Sequence, residues 1–322
     1  MQSARPGPVL IERAIGAVLG GAVGDALGAG YEFAAAPEPD EVIMLRGTLT
    51  GEPAGYWTDD TAMAIAILEV AAREGTLTTP DAIAAVGTRF LEWFDLGPRD
   101  VGIHTRRVLS RATSGAALAA AAADVQAENP NAAGNGSLMR TGPVALAHLG
   151  NDNDLADAAK AMSELTHAHP DAVAACVLWS AAIGDALRTG TLKGPRAGLH
   201  LIEESRRADW EQRIAEAEVH DPRYFSPNGH VVVALQAAWS AIHATRHAEV
   251  HLVAGLRQAV AIGDDTDTVA AIAGSLLGAR YGADAIPIEW RRGLAGWPVG
   301  YGADDLAQLA GAAVSHGTAA FD

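Results

Sequence analysis

Cysteine is almost absent from this chain of 322 residues, which has only Cys176. A single cysteine cannot form a disulfide framework, and no Cys/His spacing typical of a zinc site is present, so we expect a reducing, cytoplasmic location. The Ala, Val and Leu neighbours of Cys176 predict a small buried core residue. Signal-peptide features are also missing, and Glu12, Arg13 and Asp25 interrupt the longest apolar stretch near the N-terminus. We therefore expect neither a signal peptide nor a membrane-spanning helix.

Basic and aromatic residues are scarce as well. Lys and Arg number 23 against 39 Asp and Glu, which gives a formal net charge of -16, and aromatics make up 5%. The acidic charge argues against binding to nucleic-acid backbones or anionic membranes. Few aromatics together with abundant Ala and Gly favour closely packed helices over a β-sandwich. The chain also lacks a G-x-S-x-G elbow, a phosphate-binding G-x-x-x-x-G-K-[ST] loop and an H-E-x-x-H motif.

Helical periodicity is present along almost the whole chain, without strand–helix alternation or a repeat of 20–50 residues. We predict one all-α domain over residues 1–322, with a charged surface excursion near 193–227 that contains a solvated helix at about 197–218. The other predicted helices cover 9–29, 60–74, a segment starting at Thr79, 101–113, 115–123, 137–148, 154–165, 170–188, 229–245, 248–261, 267–281 and 303–315, with a loop at 127–136.

The first predicted helix has a glycine at every fourth position, namely Gly16, Gly20, Gly24 and Gly28. Such a stripe leaves one helix face bare. It indicates that another backbone, or a ligand, comes very close to this face.

Two short acidic clusters are the most informative features of the sequence. They are Trp57-Thr58-Asp59-Asp60-Thr61 and Gly263 to Thr268, and each precedes an Ala-rich helical stretch. Helix capping explains one isolated cluster, because Thr and Asp are preferred at helix starts. Crowded like charges repel, however, and carboxylate and hydroxyl oxygens suit Mg²⁺, Mn²⁺ or Ca²⁺. If folding brings the clusters together, they could hold a pair of divalent ions that activates water against a sugar or phosphate ester.

Several other residues are candidates for a site. Glu32 could be a general base or could support a metal ligand, or it could be an ordinary exposed glutamate. Asp100 precedes a predicted helix and is by default an N-cap. The loop Gly134-Asn135-Gly136-Ser137, at the start of a predicted helix, could hold a diphosphate through backbone N–H groups, or could be a flexible loop that Ser137 caps. His167 could contact a ligand, although a lone His is more often structural.

These motifs, in this order, resemble the ADP-ribosylglycohydrolase family, which includes dinitrogenase reductase-activating glycohydrolase and the vertebrate ADP-ribosylhydrolases. The matching segments are Gly24 to Gly28 with Glu32, Trp57 to Thr61, Asn135 to Arg140, Thr166-His167, Gly263 to Thr268, Ala270 to Gly274 and Ala285 to Pro287, and they extend over roughly residues 10–295.

The resemblance implies a single orthogonally packed multi-helix domain with two Mg²⁺ or Mn²⁺ ions. By matching motif positions, it implies that the metal ligands are Thr58, Asp59, Asp60, Asp265, Asp267 and Thr268, with Asp264 outside them. It implies catalytic roles for Glu32 and Asp100, and contacts with ADP-ribose for Gly136, Ser137 and His167. Gly134 and Asn135, in the same loop, are further substrate-binding candidates.

The implied activity is metal-dependent hydrolysis of the α-glycosidic bond between ADP-ribose and an acceptor, with an ADP-ribosylated protein as partner. Asp100 favours an arginine-linked over a serine-linked substrate, because a guanidinium pairs well with a carboxylate. Two alternatives stay open: a hydrolase of a small ADP-ribosyl ester or nucleic-acid adduct, and a protein that binds ADP-ribose without cleaving it. We expect a monomer. The chain departs from its relatives at His230, where they often have an aromatic residue, and in the charged 193–227 segment; either could reshape the site entrance.

Overall fold

The computed structural model describes residues 6–318, and these residues form helices, turns and loops without a β-sheet. The all-α prediction is therefore confirmed. The α-helices, in chain order, are α1 Pro8–Gly28, α2 Asp59–Glu74, α3 Pro80–Asp95, α4 Ile103–Leu109, α5 Leu118–Glu128, α6 Gly142–Ala147, α7 Asp152–Glu164, α8 Pro170–Thr189, α9 Glu204–Val219, α10 Val231–Ala244, α11 His251–Val260, α12 Thr266–Tyr281, α13 Ile288–Arg292 and α14 Ala303–Gly317.

Helices α2 and α3 show why these segments begin and end where they do. Asp59 and Asp60 lie in the first turn of α2, where the helix dipole favours negative charge. The helix ends at Gly75, whose φ of 69° is the left-handed conformation that glycine adopts without strain. Thr79 then caps α3 by accepting a hydrogen bond from the Ala82 N–H at 3.2 Å.

The glycine stripe of α1 packs directly against the backbone of α12. A Cβ atom at Gly20 or Gly24 would overlap the backbone of Gly274 or Ala270, and Gly274 in turn lies against the backbone of Gly20. The first of the two interpretations, close approach of another backbone, is thus the one observed. Because the two helices touch along most of their length, the start of α12 is held beside the end of α1, and the Thr266 hydroxyl donates to the Gly28 carbonyl at 2.8 Å.

Helix α8 is a long helix that is mostly buried. By length and composition it could cross a membrane, but 83% of its apolar window is buried inside the protein. It contains Cys176, which is fully buried as predicted. We interpret α8 as a core helix around which the others pack.

Several predicted helices differ from the structure. The helix predicted over 137–148 covers only Gly142–Ala147, because residues 135–141 form turns, with Leu138 N–H donating to the Asn135 carbonyl at 2.9 Å. The helix predicted over 197–218 is instead a 3₁₀ segment, Gly194–Leu201, followed by α9. Helix α5 also continues to Glu128, into the predicted loop.

The charged 193–227 segment is packed on the helical core rather than fully solvated. Trp210, Ile214 and Ala217 form a buried face of α9, which lies against α10. Arg196 pairs with Glu211 at 2.8 Å and also with Glu218. Several charged residues of α9 also face the neighbouring helices, since Arg213 pairs with Asp171 of α8 and Glu218 accepts from the Trp239 indole of α10.

Candidate functional site

The helix ends of α1, α2 and α12 meet at one buried point. The glycine packing of α1 against α12 brings Asp25 close to Asp267, and the first turn of α2 adds Asp59 and Asp60. All four side chains are buried, with at most 8% of each residue exposed. The two acidic clusters, separated by about 200 positions in the chain, are thus neighbours in the fold, as the metal hypothesis requires.

Asp25 holds the first cluster in place. Its Oδ1 accepts hydrogen bonds from the Thr58 N–H at 2.9 Å and the Thr58 hydroxyl at 2.8 Å. Its Oδ2 accepts from the Thr61 N–H at 2.9 Å and the Thr61 hydroxyl at 2.5 Å. Asp25 thus satisfies two of the N–H groups that a helix start leaves free, and it orients the Thr58 oxygen toward Asp60 and Asp267 at 3.2 and 3.3 Å.

The carboxylates form two groups of three that share Asp267. Asp25, Asp60 and Asp267 can each place an oxygen within 4.8 Å of the others, and so can Glu32, Asp100 and Asp267. Asp265 lies nearby, where its Oδ2 accepts a hydrogen bond from Asn135 Nδ2 at 2.7 Å. Two groups joined by one carboxylate are the arrangement that a pair of neighbouring cations needs.

Burial and mutual repulsion raise the pKa values of these carboxyl groups. Burial is the larger cause for Glu32, and the charges of Asp100 and Asp265 add to it, so that its pKa rises to about 9. Burial, followed by Asp25 and Asp265, raises the pKa of Asp100 to about 6. The same causes raise the pKa values of Asp60 and Asp267 well above the usual range. So many carboxylates are costly to ionise together unless a cation lies among them.

The donor set fits a hard divalent cation. Asp60 Oδ1 and Asp100 Oδ2 are buried without a hydrogen-bond partner, so each has an oxygen free to coordinate an ion. The other candidate ligand atoms are also carboxylate or hydroxyl oxygens, from Thr58, Asp59, Asp265, Asp267 and Thr268. Mg²⁺, Mn²⁺ and Ca²⁺ prefer such ligands, whereas zinc and copper favour nitrogen and sulfur.

A cavity of about 470 Å³ opens from this acidic centre, and we call it the ligand cavity. One wall contains Glu32, Asp100 and Asp267, and the facing wall contains Gly134, Gly136 and His167, with Phe33, Leu49 and Ile103 at its exposed rim. Among the described residues that line it there is no Lys or Arg. An anionic ligand in this cavity would therefore depend on N–H donors and bound cations.

His167 is held as a neutral donor toward this cavity. Arg140, which has no acceptor atom, donates to the Thr166 hydroxyl at 2.6 Å, and that hydroxyl lies 2.7 Å from His167 Nδ1. Burial, followed by the charge of Arg140, lowers the pKa of His167 well below its usual range. The Thr166 hydroxyl then donates its hydrogen bond to Nδ1, which accepts it, and Nε2 carries the imidazole hydrogen. A Cβ atom at Gly136 would lie 3.2 Å from that Nε2, so glycine leaves it accessible.

The structure separates the predicted substrate-binding residues. Gly134, Asn135, Gly136 and His167 line the ligand cavity, but Ser137 does not. Ser137 is buried, and its hydroxyl accepts hydrogen bonds from Ser163 at 3.0 Å and from Cys176 at 3.4 Å. Because α6 begins only at Gly142, Ser137 does not cap a helix, and the loop has no helix N-terminus directed at the cavity.

The sequence interpretation assigned no role to Asp25, Asn228 or Arg140. An aspartate inside a buried, glycine-rich helix is a signal that could have identified Asp25, because an acidic side chain is rarely buried without a reason. Asn228 accepts from the Asp265 N–H at 3.0 Å and donates to the Gly263 carbonyl at 3.1 Å, and no local pattern indicated it. Asp264 accepts a hydrogen bond from the Ser226 hydroxyl and belongs to neither carboxylate group.

Comparisons with known proteins all indicate one family. A family profile described as ADP-ribosylglycohydrolase matches residues 6–320. The ADP-ribosyl-[dinitrogen reductase] glycohydrolase of Rhodospirillum rubrum is 33% identical over 292 residues, which cover 88% of this chain and 90% of that protein. The ADP-ribosylarginine hydrolase Tri1 of Pseudomonas putida (strain GB-1) is 29% identical, over 87% of this chain and 73% of the relative.

More distant relatives and a solved structure agree with this. The human ADP-ribosylhydrolase ARH3 is 24% identical over 89% of this chain and 90% of its own length. A solved structure described as an ADP-ribosylglycohydrolase-related protein complex is similar with a TM-score of 0.73 and 33% identity, and the match covers 96% of this chain and 99% of that one.

Proposed function

The chain belongs to the ADP-ribosylglycohydrolase family and is an enzyme of this type, and from this premise we propose that it removes ADP-ribose from arginine side chains of modified proteins in a metal-dependent reaction. The observation on which the proposal rests is the pair of carboxylate groups sharing Asp267, at the end of a cavity of about 470 Å³. The relative named for ADP-ribosylarginine supports the arginine linkage, and the one named for ADP-ribosyl-[dinitrogen reductase] supports a protein substrate.

In this proposal the ligand cavity holds ADP-ribose. The Nε2–H of His167 and the backbone of the Gly134–Gly136 loop would bind its oxygens, and the distal ribose would lie against Asp59, Asp100 and Asp267. Thr58, Asp59, Asp60, Asp265, Asp267 and Thr268 would hold two Mg²⁺ or Mn²⁺ ions. Such ions supply charge neutralisation and Lewis acidity beside the sugar hydroxyls.

Glu32 and Asp100 would perform the proton transfers. Without a bound cation their pKa values are raised to about 9 and about 6, nearer to neutrality than those of ordinary carboxyl groups, which favours proton exchange by these two groups. The bond between the anomeric carbon and the arginine nitrogen breaks and the oxygen of water bonds to that carbon. One of the two carboxyl groups takes a proton from this water, and the other gives a proton to the nitrogen, which keeps the electron pair of the broken bond. The surrounding carboxylates favour the positive character that the carbon gains during this step.

The direct test is to incubate the purified protein with ADP-ribosyl-arginine and ADP-ribosyl-serine peptides, with Mg²⁺ or with EDTA, and to measure free ADP-ribose. We expect release from the arginine peptide that EDTA abolishes. Release from the serine peptide alone would overturn the linkage, and release in EDTA would overturn the metal dependence. Tight binding of ADP-ribose without release from either peptide would favour the non-catalytic alternative.

A further inference from the structure

A second cavity also adjoins the acidic centre. It has a volume of about 360 Å³, and its walls include the aromatic side chains of Tyr56, Trp57, Trp93 and Trp297 together with the carboxylate of Glu52. We call it the aromatic cavity. In a protein with only 7 Trp and 5 Tyr in 322 residues, four of these rings around one cavity are a marked concentration.

The two cavities meet at Asp59 and Asp100, which line both of them. Asp100 Oδ2 is buried and has no hydrogen-bond partner. If the distal ribose lies at these carboxylates with the rest of ADP-ribose in the ligand cavity, the bond on its anomeric carbon can extend past Asp100. The group attached there would enter the aromatic cavity.

The walls of the aromatic cavity suit a planar cation. Aromatic faces attract guanidinium groups through their quadrupole, and carboxylates accept their fixed fork of N–H donors. Among the described residues that line this cavity, Arg99 is the one cation, and it lies at the rim with 69% of its side chain exposed. Arg89, which is outside this lining, stacks on the Trp297 ring with its Cζ 4.9 Å from the ring centroid, so this ring already binds one guanidinium. The Nη1 of Arg99 donates to the Thr50 carbonyl at 2.7 Å and is 3.7 Å from Glu52, so Glu52 retains room for a second donor.

We propose that the aromatic cavity is the acceptor subsite, in which the side chain of the modified arginine lies between the tryptophan and tyrosine rings and pairs with Glu52 and Asp100. This inference rests on the proposed function, because it names the part of the same site that selects the acceptor. It also assigns linkage preference to residues outside the metal ligands, chiefly Glu52 and Trp297.

Kinetics of two variants with the same charge change would test this subsite. Glu52→Gln should raise the KM for an ADP-ribosyl-arginine peptide about fivefold more than the KM for an ADP-ribosyl-serine peptide, since only the guanidinium loses a charged partner. Glu74→Gln is the matched control, because Glu74 is exposed at the end of α2, pairs with Arg73 and does not line the cavity. It should change neither KM. Equal effects of Glu52→Gln on both substrates, or no effect, would overturn the proposal.

A variant of Arg99 should change the KM for the arginine peptide in the opposite direction. Arg99→Gln removes the competing cation at the rim, so it should lower the KM for the arginine peptide by about twofold.

Trp297→Leu should raise the KM for the arginine peptide and Trp297→Phe should largely preserve it, because phenylalanine keeps an aromatic face. The backbone carbonyl of Trp297, which accepts from the Trp57 indole at 2.9 Å, is present in both variants.

A binding measurement separates failure of the subsite from failure of the proposed function. Protein saturated with ADP-ribose and Mg²⁺ is titrated with Nα-acetyl-L-arginine amide and, in parallel, with Nα-acetyl-L-serine amide, while tryptophan fluorescence is recorded. Saturable quenching by the arginine compound alone, weakened in Glu52→Gln, supports the subsite even if neither peptide is hydrolysed. Hydrolysis of the arginine peptide with no such quenching would leave the function standing and overturn the subsite.

Discussion

Two regions of this protein are rich in charge, and their charges are arranged in opposite ways. In the 193–227 segment acidic groups meet basic ones: Arg196 joins Glu211 and Glu218, and Arg206 and Arg213 join Asp171. In the acidic centre, carboxylates from α1, α2 and α12 face one another. Arg206 and Arg213 lower the pKa of Asp171, whereas burial and mutual repulsion raise the pKa values of Asp60 and Asp267.

The comparison shows why charge content alone does not identify a site. Paired surface charges stabilise a fold slightly and are satisfied as they stand. Buried like charges destabilise a fold unless something else binds among them, so their presence indicates a function. The predictions below test this difference, beginning with the largest expected effect.

Removal of one central carboxylate should abolish activity without unfolding the protein. Asp267→Asn is expected to lower turnover at saturating Mg²⁺ by at least about 100-fold and to weaken Mg²⁺ binding, because Asp267 belongs to both carboxylate groups. The metal-free variant should be at least as stable as the wild type, since it contains one fewer repelling charge. Turnover, calorimetric Mg²⁺ binding and thermal unfolding measure the three effects.

The control for this variant is Asp264→Asn, which makes the same change three positions away. Asp264 adopts a left-handed φ of 59°, which Asn tolerates, and its side chain faces Ser226 rather than the centre. Turnover within about twofold of the wild type is expected here. A fully active Asp267→Asn enzyme would contradict the metal assignment.

Stability of the whole protein should depend on Mg²⁺ and on pH together. The pKa values of the carboxyl groups in the centre are raised in the folded state. Without metal, the stability that their protonated forms contribute is therefore fully present below the unfolded pKa values of about 4. It is lost as the pH rises toward about 9, the folded-state pKa of Glu32. Mg²⁺ competes with these protons. The increase in melting temperature that Mg²⁺ causes should therefore be larger at pH 8 than at pH 5.5.

This prediction is measured by differential scanning fluorimetry with Mg²⁺ and with EDTA across that pH range. In Asp267→Asn the increase should be much smaller at both pH values. An equal increase at pH 5.5 and pH 8 in the wild type would show that the ion does not bind at titrating carboxylates.

The smallest effect is expected in the charged segment. Arg196→Met should lower the free energy of unfolding by about 1 kcal/mol, because Arg196 is partly exposed and surface ion pairs contribute little. Turnover should stay within about twofold of the wild type. Urea unfolding and the peptide assay measure both quantities, and Arg196→Lys, which keeps the charge but not the planar fork, should recover part of the stability. A large loss of turnover would mean that this segment acts on the site.

The sequence predicted some helices more accurately than others. Helices α1, α2, α8, α12 and α14 were predicted to within about two residues, because their apolar periodicity and end signals are local. The helices predicted over 137–148 and 197–218 were wrong in part. The turns at 135–141 and the break in the helix at 202–203 depend on contacts with distant residues. Asn135 illustrates this: its side chain bonds Asp265 and the Asn228 carbonyl, both about 100 or more positions away.

The amino-acid sequence by itself determined the helical class, the small-residue stripe of α1 and the acidic helix starts, because periodicity, glycine spacing and helix capping act over a few residues. The family resemblance rested on those same motifs. Only the tertiary structure decided that α12 packs against the stripe, that Asp25 organises the first cluster and that Ser137 is turned into the core. It also placed the aromatic cavity beside Asp59 and Asp100. These features depend on which distant surfaces meet, and that is set by the packing of the whole chain rather than by any local pattern.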